Sequence, residues 1–235
     1  MGIAEIHQAL RQPIDPECIA ASPQMPANAL PARGEEALSR LERREQPDRY
    51  SKEWWLEIAR VCADRSDHAE AEVSYLKALQ IAPNDIAVLN RYGAFLAEVR
   101  RMVDAIRHFN KSLKINGCQY RTLLQRGRAF ESLGKWEEAL RDYETASRIE
   151  GTESEVWACQ GNALFYLSRF ADALQAYDMA TQFNPGDAQS WINKGICFTE
   201  HHRYREALAC FEKAGRLGHP GGSQLIATCK KDLAG

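Results

Sequence analysis

The chain has little that would tie it to a membrane, a nucleic acid or a cofactor. No apolar run approaches the roughly 18–20 residues that cross a bilayer. The first residues, MGIAEIHQALRQPIDPE, lack a basic start followed by an apolar core and do not read as a secretory signal. Ile6 stands where N-myristoylation needs Ser or Thr. Net charge is −2 over 235 residues, and the charges are spread evenly, so no bulk attraction to nucleic acid is implied. GxxxxGK[ST], GxGxxG and GxSxG are all missing, which removes the common nucleotide and hydrolase signatures. The seven cysteines are odd in number and include no CxxC pair, so neither a disulfide framework nor a zinc module is expected. They read as packing thiols in a reducing, cytoplasmic setting.

Candidate catalytic clusters dissolve on inspection. His201 and His202 are adjacent, and neighbours on a helix point about 100° apart, which makes a poor metal site. Glu35-Glu36 and Glu137-Glu138 open helical stretches, where carboxylates favour the helix dipole. No catalytic residue, metal ligand or cofactor is assigned, and the chain is expected not to be an enzyme.

What is present is a period. RGRAFESLGKWEEALRDYETA (126–146) returns 34 residues later as QGNALFYLSRFADALQAYDMA. In steps of 34, five gap-free units fall into register: 52–85, 86–119, 120–153, 154–187 and 188–221. Position 4 holds Trp55, Leu89, Leu123, Trp157 and Trp191. Position 8 holds Ala59, Gly93, Gly127, Gly161 and Gly195. Position 20 is always Ala, and position 24 is Tyr75, Phe109, Tyr143, Tyr177 or Phe211. Spacings of 4, 8, 11 and of 20, 24, 27 each mark one face of a helix. Gly inside a helix costs about 1 kcal/mol against Ala, so its recurrence at position 8 implies a close helix–helix approach. Pro83 and Pro185, or Gly117 and Gly151, close the units.

These residues resemble the tetratricopeptide repeat (TPR) pattern W-x2-L-G-x2-Y…A-x3-F…A…P. The resemblance covers about 170 residues and implies an all-α fold: a right-handed α-solenoid of five consecutive TPR helix pairs with a C-terminal capping helix at 222–235. Departures are small. Position 7 is Arg126, Gln160 or Lys194 in three units, and Ser66 and Arg100 stand where Gly often closes the inter-helix turn. Upstream, 34–51 reads as a partial repeat helix and linker, because Ala37 and Leu41 match positions 20 and 24. Residues 1–33, with five prolines, read as a segment that is flexible or lies along the solenoid.

The resemblance also implies a function. TPR first helices line a concave groove through positions 2, 5, 6, 9, 12 and 13. Here the peptide-binding candidates are Arg60, Asn90, Arg91, Arg121, Gln125, Arg128, Asn162, Phe165, Tyr166 and Asn193. Arg60, Arg91, Arg121 and Arg128 suggest a basic strip suited to an acidic segment or a peptide C-terminus. The amides suit the backbone of an extended peptide. The two-carboxylate clamp of chaperone-binding TPR domains is not matched in any frame of the units. The expected function is a protein-interaction scaffold or adaptor that binds a peptide segment of another protein, without nucleic acid and without membrane insertion. Self-assembly into a homo-oligomer stands as the alternative, with an RNA-binding helical repeat less favoured.

Overall fold

The structure is a computed structural model and describes residues 51–234. The readings for 1–33, for most of the 34–51 segment and for Cys18 lie outside the described residues. The described residues are helical apart from turns, and they divide into two compact units, 51–118 and 119–234.

The first unit contains α1 (Lys52–Asp64), α2 (His68–Ile81), α3 (Ile86–Glu98) and α4 (Met102–Ile115). The pairs α1–α2 and α3–α4 form hairpins, and α3 also packs on α1 and α2. The second unit contains α5 (Tyr120–Ser132), α6 (Trp136–Ile149), α7 (Ser154–Tyr166), α8 (Phe170–Phe183), α9 (Ala188–Glu200), α10 (Tyr204–Arg216) and α11 (Gly222–Ala234). Here α5–α6, α7–α8 and α9–α10 pair as hairpins. Each second helix packs on the next first helix, and α11 lies against α10. The terminal helix expected at 222–235 is therefore present as α11. Leu225 and Ile226 pack against the cluster formed by Ile192, Ile196, Phe211 and Cys229.

Local chemistry starts and stops these helices. Ser51, Asp67, Asp85 and Asp187 accept backbone N–H groups at the starts of α1, α2, α3 and α9. Each hairpin turns through one left-handed residue: Ser66, Arg100, Gly134, Ser168 and His202, with φ between 55° and 71°. Only one of the five is glycine, so four turns hold a side chain in a conformation that L-residues avoid.

Position 8 explains the close approach inside each hairpin. A Cβ built on Gly93, Gly161 or Gly195 would stand 2.7, 2.6 or 2.5 Å from the ring of Phe109, Tyr177 or Phe211. Gly127 meets Tyr143 in the same way. The position-24 ring thus lies directly against the backbone of its partner helix, and all four rings are almost fully buried. The first hairpin carries Ala59 instead, and there Tyr75 leans on Tyr92 and Phe95, with ring centroids 5.5 and 5.1 Å away.

Candidate protein-binding surface

The ring-on-glycine contact fixes α3, α5, α7 and α9 each against its own second helix. In the 119–234 unit α5 touches α7, and α7 touches α9, so the first helices lie side by side. In the 51–118 unit α1 touches α3. Positions 2, 6, 9 and 13 fall on these neighbouring first helices.

In the first unit Arg60 forks between two carboxylates of its own helix, Glu57 and Asp64. Arg91 is exposed, and it makes no ion pair among the described residues. Asn90 beside it is half-buried.

In the second unit Arg121 is exposed and donates to the Tyr120 hydroxyl at 2.9 Å; that hydroxyl in turn donates to Glu153. Gln125 is exposed one turn on. Arg128 reaches across to α7, where it pairs with Glu155 at 2.5 Å and points a second contact at Cys159 Sγ, 3.8 Å away. Burial pushes the Cys159 thiol up to about 11, so it is no nucleophile at neutral pH.

The amides form a ladder among themselves. Asn162 Oδ1 accepts from the Tyr177 hydroxyl at 2.7 Å and from Asn193 Nδ2 at 2.9 Å. Asn193 Oδ1 accepts from Gln189 Nε2 at 2.8 Å. Asn162 and Asn193 thus tie α7, α8 and α9 together, and their amides are already engaged within the chain. Phe165 and Tyr166 are half-buried. Phe165 packs into the apolar cluster of the last hairpin, and Tyr166 stacks on Trp136, with centroids 3.9 Å apart and planes 9° apart.

Two members of this surface escaped the sequence. Glu131, at position 12, accepts from the Tyr143 hydroxyl at 2.8 Å, and burial pushes its carboxyl up. Its only signal was its repeat position. Trp136 opens a second helix, outside the groove positions, and nothing periodic marked it. No group of histidine, cysteine and carboxylate side chains able to hold a metal occurs among the described residues. No described helix is long and apolar enough to cross a membrane.

The family model for the tetratricopeptide repeat matches residues 27–86 and 160–218, together just over half of the chain. The chain belongs to the tetratricopeptide repeat family. No curated protein matches it. Solved TPR structures share the fold. Pseudomonas aeruginosa pilF aligns at 21% identity and a TM-score of 0.72, over 86% of this chain and 90% of its own. YrrB, described as a TPR protein with an unusual peptide-binding site, aligns at 18% identity and 0.66, over 84% and 99%. MamA from Desulfovibrio magneticus RS-1 aligns at 18% identity and 0.67, over 71% and 94%. At such identities the likeness concerns the fold alone.

Proposed function

We propose that this TPR chain is a non-catalytic scaffold that binds a peptide segment of another protein on its first-helix faces. The observation that carries this is the side-by-side packing of α5, α7 and α9. It offers exposed Arg121 and Gln125, the partly exposed Tyr166–Trp136 stack and the amide ladder on adjoining helices. YrrB's peptide-binding site gives the reading a precedent within the fold. The exposed Arg121 favours a segment that carries carboxylates. Arg60 and Arg128 contribute less, because Glu57, Asp64 and Glu155 already match their charge.

The test is capture of partners on immobilised protein, wild type beside an Arg121→Glu variant of equal helicity by circular dichroism. A partner held by the wild type and released by the variant supports the reading. Equal retention of every partner counts against it.

A further inference from the structure

In two of the hairpins the residues at positions 7 and 23 hold each other across the helix pair. In the second hairpin Tyr92 packs on His108, with ring centroids 4.6 Å apart. In the third, Arg126 forms a two-pronged pair with Asp142, at 2.8 and 2.6 Å. In the fifth, position 23 is Cys210, and Lys194 instead reaches back to Asp178 of α8 at 2.7 Å while lying over the Trp191 ring.

In the fourth hairpin these positions are Gln160 and Ala176, and they leave a cleft of about 540 Å3. Ala176 is too short to meet Gln160, whose Oε1 is buried and accepts no hydrogen bond among the described residues. Glu144 of α6 stands on one side, with Asp172 and Asp178 of α8 on the other. Arg169 offsets Asp172, and Lys194 offsets Asp178. The Glu144 carboxylate has no such cation among the described residues. Trp157 and Met179 supply apolar wall, and the indole N–H of Trp157 is already spent on the Gly151 carbonyl at 2.8 Å.

The cleft therefore offers one unmatched carboxylate, Glu144, beside two that are already paired, in a net negative lining with an aromatic wall. Those properties fit a guanidinium, which is planar, donates in several directions and associates with aromatic rings. The neighbouring repeat supplies the same group from within the chain, as Arg126.

We propose that the cleft between α6, α7 and α8 is a receptor for an arginine side chain of a partner protein. The arginine meets Glu144 in trans, as Arg126 meets Asp142 in cis one repeat earlier. The site is separate from the first-helix face and does not depend on it.

The experiment is an NMR titration of the full chain with a blocked Gly-Arg-Gly tripeptide, and with the same peptide carrying citrulline, the neutral isostere of arginine. The arginine peptide is expected to shift the side-chain signals of Trp157, Gln160 and Gln175, and the citrulline peptide to leave them in place. Glu144→Gln should weaken the arginine response by about three- to tenfold. Gln160→Arg with Ala176→Asp, which copies the third hairpin, should abolish the response and raise the melting temperature. Three results overturn the proposal: no shift at these side chains, equal shifts with citrulline, or an undiminished response in Glu144→Gln. The Glu144 variant decides the matter even where the double variant fails to fold.

Discussion

Gly161→Ala tests the packing that organises the whole chain. By helix propensity alone the substitution should stabilise α7 by about 1 kcal/mol. The structure predicts the opposite sign. The new Cβ would meet Tyr177 at 2.6 Å from Cε1, 2.8 Å from Cδ1 and 2.9 Å from Cζ. The ring cannot swing aside freely, because it is 1% exposed and its hydroxyl is held by Asn162 at 2.7 Å. Overpacking of this kind costs about 1–3 kcal/mol, and the anchored ring places this site in the upper part of that range. The net expectation is a loss of about 1–2 kcal/mol. It would be read from urea unfolding followed by circular dichroism. In a Tyr177→Leu background the obstacle is gone, and Gly161→Ala should then recover its helix-propensity gain of about 1 kcal/mol. If Gly161→Ala stabilises the wild-type chain, or costs the same in both backgrounds, ring-on-glycine packing is not what holds position 8.

Replacing Ser168 or Arg100 by glycine should stabilise the chain by about 0.5–1 kcal/mol each. Relief of the left-handed conformation outweighs the added freedom of the unfolded chain; thermal melts of the single variants check this. Burial first, and then the charge of Lys111, hold His108 below the ordinary imidazole range. The unfolded chain consequently takes up that proton more readily. The contribution of His108 to stability is full above about pH 6.5 and is lost as pH falls through and below that value. His108→Phe should flatten this part of the pH profile, and an unchanged slope between about pH 7.5 and 5.5 would count against it. In a Cys18→Ser background, a thiol reagent should label Cys118 rapidly and Cys62, Cys159, Cys197, Cys210 and Cys229 slowly, because only Cys118 of these six is exposed. Mass-spectrometric mapping over time distinguishes the sites, and fast labelling of Cys159 or Cys197 would contradict their burial.

The helices and their pairing were legible in the sequence because the period is carried by residues whose role is local or nearest-neighbour. Gly161 and Tyr177 lie sixteen residues apart and meet within one hairpin. The arrangement follows from a short chain of contacts that repeats. The surface was less legible. Position in the repeat says which side of a helix a residue occupies, and it does not say what already holds that side chain. Asn162 and Asn193 looked like free amides, yet they bond to each other and to Tyr177. Arg128 looked like one member of a strip, yet it is matched by Glu155 from the next hairpin. Ser66 and Arg100 looked like small departures, and both occupy the left-handed turn without glycine.

The sequence by itself determined the all-α fold, the length of the repeat and the close helix approach at position 8. These depend on spacing, and spacing is written in the chain. Only the tertiary structure decided which charges are already spent, and that the fourth hairpin leaves a cleft between α6, α7 and α8. Both depend on side chains from neighbouring units meeting across a gap. Whether Gln160 finds a partner or a cleft is settled by the size of Ala176 opposite it, and no periodicity records that pairing.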